Sequence, residues 1–159
     1  KGLTATLGRD ALIMADETVC TQQDAMALAR GQACHVFSLK VAKHGGLLRT
    51  RKVAAVAEAA DIAWYGGTML ETSLGSAASA HVFSTLGHQH HGCELFGPQL
   101  LVDDIVESQM PITDFALQLP DGPGFGVEVS LAQLDRFDRA HAGKAPVHID
   151  LGRQATTTV

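Results

Sequence analysis

Residues 35–46 read HVFSLKVAKHGG, an apolar run of strand length that ends at a lysine and leads to a glycine pair. After the glycines, apolar residues recur at spacings of three to five, which is typical of a helix that packs on one face. This stretch predicts a buried strand, a short loop and a covering helix. Such a βα unit is the repeating element of a parallel sheet covered by helices.

Comparable units lie on both sides of this stretch. The apolar runs at residues 11–15, 62–65 and about 92–96 are predicted to be further strands. Thr21 is placed to cap a helix that ends at Gly31, and a small-residue helix is expected over about 70–86. The chain is therefore strand–helix three times, followed by a fourth strand.

Polar residues fall at the carboxyl ends of these strands. Asp16, Lys40, the glycine pair Gly66-Gly67 and Glu94 follow one another at separations of 24, 26 and 28 residues, close to one βα unit each. An open doubly wound sheet fits the same pattern, but a dinucleotide-binding one would usually carry GxGxxG after its first strand, and this chain has none. In a (β/α)8 barrel these ends meet at one mouth, where barrel enzymes place their chemistry. Four units predict an α/β fold that is half of such a barrel.

The pattern changes after the fourth strand. We assign residues 1–98 to the half barrel and residues 99–140 to a segment of short runs broken by prolines and glycines. Residues 141–159 are polar and rich in Thr and Gly, which predicts a flexible tail.

Composition narrows the function classes. The 159 residues carry a net charge of −5, which argues against nucleic acid as a partner because phosphate binding needs a concentrated basic face. No apolar run approaches the roughly 20 residues that span a bilayer, so no membrane association is expected. Three widely spaced cysteines with no CxxC fit reduced thiols and a cytoplasmic location.

The strand ends suggest a candidate site. Asp16, with Glu17 beside it, is a suitable ligand for a hard divalent cation such as Mg²⁺, although a helix-capping surface acid fits equally. Lys40 either points into the mouth for proton transfer or is a lysine whose charged end reaches solvent. Lys43 is expected in the following loop and in solvent. A buried Glu94 needs a partner, and Lys40 is the predicted one.

Two other features are not assigned to a functional site. The histidines of HQHH at residues 88–91 are expected in an exposed loop at the end of the sheet opposite the mouth. Cys93 has no acid–base partner suggested beside it, so it is not expected to be a nucleophile.

Four motifs in order give the chain a family resemblance. MADET at 14–18, SLKVAKHGG at 38–46, YGGTMLETSLG at 65–75 and HGCELFGP at 91–98 resemble the C-terminal half of muconate and chloromuconate cycloisomerases, of the muconate-lactonizing subgroup of the enolase superfamily. The resemblance runs from about Leu12 to Phe137. It implies the C-terminal half of the barrel, followed by a segment that returns to a capping domain absent from this chain.

The resemblance also implies roles. Asp16 matches the third acidic ligand of Mg²⁺ or Mn²⁺, and Glu17 matches a neighbour that supports this ligand without binding the metal. Lys40 matches a lysine that acts on one face of the substrate, electrostatically or in proton transfer, and Glu94 the acid that faces it. The substrate pocket is implied for a further set: Thr68, Met69 and Phe96.

The implied reaction is the reversible closure of cis,cis-muconate, or a chloromuconate, to its lactone through a metal-stabilised enediolate, in catechol or chlorocatechol degradation. We expect a small dicarboxylate substrate and a homo-oligomer. The first two metal ligands and a KxK lysine pair do not precede Lys1, so we expect the isolated chain to be inactive and to associate through unpaired strand edges. Dipeptide epimerases, N-acylamino acid racemases and o-succinylbenzoate synthases stay open as alternatives, as does a non-catalytic half-barrel association module.

Overall fold

Four short strands form one parallel sheet in sequence order, β1-β2-β3-β4. The structure is a computed structural model that describes residues 2–8, 10–87 and 90–138. The strands are β1 (Met14–Ala15), β2 (Val36–Leu39), β3 (Ala63–Gly66) and β4 (His90–Cys93). Parallel neighbours need crossover connections, and helices supply all three.

The crossover helices are α2 (Gln22–Gly31), α4 (Leu47–Ala59) and α5 (Ser73–Ser84). Thr21 caps α2 as predicted: its hydroxyl accepts from the Asp24 amide while the Asp24 carboxylate accepts from the Thr21 amide. The left-handed residue after α2 is Gln32, at φ 48°, one position beyond the expected stop. Shorter helices are α1 (Gly2–Leu7), α3 (Val41–His44) and α6 (Gly97–Leu100).

The core lies between the sheet and its helices. Alternate residues of β2, Phe37 and Leu39, are fully buried with Val53 of α4 and Trp64 of β3 in one hydrophobic cluster. Because successive strand residues point to opposite faces, Ser38 points away from this cluster. The sheet thus has an apolar face under the helices and a second face that carries polar residues toward the carboxyl ends of the strands.

Two predictions about the fourth unit are wrong in detail. β4 begins at His90 and ends at Cys93, so Glu94 follows the strand, and His91 is in the strand instead of a loop. The shift follows from pairing, since Trp64 is in register with His90 and Gly66 with Cys93 across a bulge. His88 lies outside the described residues.

Residues 101–138 form no further part of the parallel sheet. They contain the antiparallel pair β5 (Ile112–Thr113) and β6 (Ala116–Leu117) and the helix α7 (Leu131–Phe137). Asp104 ties this segment to the half barrel, because its carboxylate accepts the Ser73 amide at 2.9 Å at the start of α5. The predicted boundary at residue 98 stays a prediction, and the predicted tail at 141–159 lies outside the described residues.

The two outer strands leave the sheet open. Within the described ranges, β1 pairs only with β2 and β4 only with β3. None of the described helices is long and apolar enough to cross a membrane.

Candidate active site

Lys40 and Asp16 meet at the carboxyl ends of β2 and β1. The Lys40 Nζ lies 2.9 Å from Asp16 Oδ1 and 3.0 Å from Oδ2, and it donates to Glu17 Oε1 at 2.6 Å. The Lys40 side chain is 7% exposed, against 43% for Asp16 and 64% for Glu17. A buried ammonium is thus bound to two carboxylates that open toward solvent.

A glycine makes room for this lysine. Gly67 follows β3, and its amide bonds the Leu39 carbonyl at 2.8 Å. A Cβ at Gly67 would lie 2.5 Å from Ser38 Oγ and 2.8 Å from Lys40 Cε, closer than real Cβ contacts allow. Gly67 therefore leaves the space that the Lys40 side chain occupies beside the end of β3.

The prediction that Lys43 lies in solvent is wrong. Its side chain is only 3% exposed. Its Nζ donates to the Asp16 main-chain carbonyl at 2.6 Å, to Asp16 Oδ1 at 3.0 Å and to the Ser38 carbonyl at 3.0 Å. The helix α3, which the sequence analysis missed, turns Lys43 back under β1 and β2. We call Asp16, Glu17, Lys40 and Lys43 the lysine cluster.

The charges of the lysine cluster reinforce one another. Partial burial alone would raise the pKa of Asp16, but hydrogen bonds from Lys40 and Lys43 outweigh it and hold the pKa below its usual value. Burial alone would lower the pKa of Lys40, but the bonds to Glu17 and Asp16 outweigh it and raise the pKa. Asp16 is therefore ionised and Lys40 protonated at neutral pH.

Glu94 is not the partner of Lys40, so that predicted pair is wrong. Glu94 Oε1 instead accepts the Thr68 amide at 3.4 Å. The reason is topological: Asp16 follows the strand next to β2, whereas Glu94 follows β4, with β3 in between. Lys40 is neutralised by the nearer carboxylates.

Glu94 has a different set of neighbours. Burial and then the negative charge of Glu94 raise the pKa of the Tyr65 hydroxyl. Thr68 is buried, and its hydroxyl donates to Glu71 Oε2 at 2.6 Å. We call Tyr65, Thr68, Glu71 and Glu94 the glutamate cluster. Sequence reasoning missed Tyr65 and Glu71, although both lie in the YGGTMLE stretch beside Thr68.

The remaining predicted pocket residues lie apart from the lysine cluster. Met69 lies in the loop after β3 and is 50% exposed. Phe96 lines an apolar groove of about 750 Å³ together with Glu94, Trp64 and Phe83. None of the four residues of the lysine cluster lines this groove.

Comparisons with known proteins identify the family of this chain. A family model described as "Enolase C-terminal domain-like" matches residues 3–133. The chain belongs to the enolase C-terminal domain-like family.

Named relatives within the superfamily are similar over most of the chain. A chloromuconate cycloisomerase of Pseudomonas putida is 47% identical over 128 residues, which cover 80% of this chain and 35% of that protein. Muconate cycloisomerase 1 of Pseudomonas putida is 48% identical over 127 residues, covering 80% and 34%. A solved structure of muconate lactonizing enzyme from Pseudomonas putida superposes with a TM-score of 0.79 at 45% identity, covering 86% of this chain and 38% of that one. The chain thus spans about a third of the length of the curated relatives it matches.

Enzymes of the enolase superfamily use a divalent metal ion, and Asp16 is the residue whose chemistry fits one. Its carboxylate is a hard oxygen donor, and an ammonium cation already stands within 3.0 Å of both oxygens. Over the described parts of the chain, no group of three or more His, Cys, Asp or Glu residues gathers around one point. Asp16 therefore fits as one ligand of a site that needs further ligands.

Proposed function

We propose that the full-length protein containing this chain is a muconate or chloromuconate cycloisomerase, which interconverts the cis,cis-dienoate and its lactone. The observation that carries the proposal is the buried Lys40 ammonium on Asp16 and Glu17 at the mouth of a parallel half barrel. Relatives 47% and 48% identical bear the two cycloisomerase names.

Asp16 would hold the divalent cation, Mg²⁺ or Mn²⁺, with ligands from elsewhere in the full protein, and Glu17 lies beside it. When bound, the cation supplies positive charge next to a substrate carboxylate, which stabilises negative charge that develops as a proton moves at the neighbouring carbon. The chain's own contribution is Lys40. Its Nζ carries a proton, is desolvated, and faces the mouth between two carboxylates.

Lys40 can act on the substrate because its acceptors are side chains. A substrate carboxylate that enters the mouth offers Nζ an alternative to Glu17, whose side chain is 64% exposed and free to move. In that position Nζ either holds the carboxylate electrostatically or exchanges its proton. Glu94 would supply an acidic group from the glutamate cluster, directly after β4.

We further propose a small dicarboxylate as substrate, a homo-oligomer as the assembly, and the cytoplasm as the location. Cys20, Cys34 and Cys93 are free thiols, which supports a reducing compartment.

The test is turnover by the purified full-length protein. We expect loss of the muconate diene absorbance, dependence on Mg²⁺ or Mn²⁺ after chelator treatment, and no epimerisation of dipeptides. Parallel assays with muconate and chloromuconates assign the preferred substrate. Epimerisation or racemisation of amino acid derivatives without any lactone formation would overturn the proposal.

A further inference from the structure

Lys43 is the most deeply buried ammonium of the lysine cluster, and all three of its hydrogen-bonding positions are used. Its acceptors are the Asp16 carbonyl at 2.6 Å, Asp16 Oδ1 at 3.0 Å and the Ser38 carbonyl at 3.0 Å. An ammonium has three donors and no acceptor, so this lysine has no donor left for a substrate. Its role therefore has to pass through the residues it holds.

The two lysines differ in the kind of acceptor they use. Both described partners of Lys40 are carboxylate side chains, Asp16 and Glu17, which can rotate. Two of the three bonds of Lys43 go to main-chain carbonyls, one directly after β1 and one within β2. The Ser38 carbonyl is held in the sheet, and the Asp16 carbonyl is held in a turn, where it also accepts the Val19 amide at 3.0 Å. Lys43 consequently stays in place when the Asp16 carboxylate changes partner, whereas Lys40 does not.

The third bond of Lys43 restrains that carboxylate. The Asp16 side chain is 43% exposed, so contact with solvent alone would not restrict the rotation of its carboxylate. Lys43 holds Oδ1 at 3.0 Å from a buried position, and the Lys40 ammonium lies 2.9 Å from Oδ1 and 3.0 Å from Oδ2. Hydrogen bonds of this kind orient metal ligands and tune their affinity.

We propose that Lys43 is a positioning residue that fixes the Asp16 carboxylate for the divalent cation and does not touch the substrate. This rests on the proposed function only in taking Asp16 as a metal ligand. The two lysines, three residues apart, then have different roles: Lys43 orients the metal ligand, and Lys40 acts on the substrate.

The experiment compares Lys43→Met with Lys40→Met in the full-length protein, with Lys52→Met as the matched control on the exposed face of α4. Mn²⁺ affinity is measured by calorimetric titration, independently of turnover, and kcat and KM are measured at limiting and saturating Mn²⁺. We expect Lys43→Met to weaken Mn²⁺ binding by about 10–100-fold, with most of kcat recovered at saturating Mn²⁺. Lys40→Met should bind Mn²⁺ at least as tightly as the wild type, because it removes a competing cation from Asp16, and its kcat should stay low at any Mn²⁺ concentration. Lys52→Met should change neither.

A purely structural Lys43 gives a different result. Thermal unfolding at a lower temperature with unchanged Mn²⁺ affinity would overturn the proposal. If Lys43→Met does not fold, Lys43→Gln replaces it, because a shorter neutral amide keeps a donor but cannot reach all three acceptors; weaker Mn²⁺ binding supports the proposal, and unchanged binding overturns it. Wild-type protein that binds no Mn²⁺ also overturns it. Mn²⁺ binding without any turnover of muconates counts against the proposed function alone.

Discussion

The two sides of the mouth are held in different ways. In the lysine cluster, two buried ammoniums make five hydrogen bonds to Asp16, Glu17 and Ser38, all of them 3.0 Å or shorter. In the glutamate cluster, the Glu94 carboxylate accepts the Thr68 amide at 3.4 Å, a longer bond than any in the lysine cluster. Within the described residues, Glu71 Oε1 is buried without a hydrogen-bond partner.

The difference follows from the charges in each cluster, because both clusters join an edge strand to its neighbour. The lysine cluster joins the ends of two strands, β1 and β2, that pair directly. The glutamate cluster likewise joins the ends of β3 and β4, which also pair directly. Two ammoniums draw the carboxylates of the lysine cluster together, whereas the glutamate cluster brings two acids together without a cation among its four residues.

The largest effect is expected from a substitution at the centre of the lysine cluster. Asp16→Asn removes an anionic ligand of a hard cation and the shared partner of two ammoniums, so it should weaken Mn²⁺ binding and abolish turnover in the full-length protein. Turnover and Mn²⁺ titration are measured together. Glu71→Gln, an equally conservative change in the glutamate cluster, should leave Mn²⁺ affinity unchanged. Wild-type activity of Asp16→Asn at limiting Mn²⁺ would show that Asp16 is not a ligand.

A smaller effect is expected from a substitution that fills the space beside Lys40. Gly67→Ala places a Cβ 2.5 Å from Ser38 Oγ and 2.8 Å from Lys40 Cε, so the lysine has to move. Overpacking of this kind costs about 1–3 kcal/mol, and kcat should fall with the free energy of unfolding. Gly87→Ala is the control, since a Cβ there meets nothing within 4 Å. Equal behaviour of the two variants in denaturation and turnover would mean that the close approach is not significant.

Sequence patterns predicted a parallel sheet and placed Asp16 and Lys40 at the same end of it. Apolar runs at one-unit spacing determine strand order, and strand order determines which carboxyl ends are neighbours. The same logic did not reach Lys43, because its direction depends on α3, a four-residue turn too short to show a periodic pattern. It also paired Lys40 with Glu94 from expected burial, opposite charge and strand spacing, although a strand lies between them and nearer carboxylates were available.

Double-mutant cycles turn this correction into a measurement. Lys40→Met combined with Asp16→Asn should be non-additive in the free energy of unfolding by about 0.5–3 kcal/mol, as for residues in direct contact. Lys40→Met combined with Glu94→Gln should be additive within about 0.5 kcal/mol. Chemical denaturation of the full-length variants gives both values. Coupling of Lys40 to Glu94 that equals its coupling to Asp16 would restore the pair that the structure replaces.

The smallest expected effect compares two histidines, His44 in α3 beneath the lysine cluster and His91 on the exposed β4 strand. Burial lowers the pKa of His44, and the charge of Lys43 acts in the same direction, while the hydrogen bond between Nδ1 and the Cys20 carbonyl opposes both. A histidine whose pKa is lowered on folding binds more protons in the unfolded state, so its contribution to stability is full above the unfolded value of about 6.5 and is lost as the pH falls toward the lower folded value. His44→Asn keeps a donor for Cys20 but cannot be protonated, so it should lose less stability than the wild type between about pH 7 and pH 5. His91→Asn is the control, because it changes an exposed side chain and leaves the contact between His44 and Cys20 in place. The test is the denaturation midpoint of each variant at several pH values. Parallel pH dependence in wild type and His44→Asn would mean that burial of His44 does not contribute to the loss of stability at low pH.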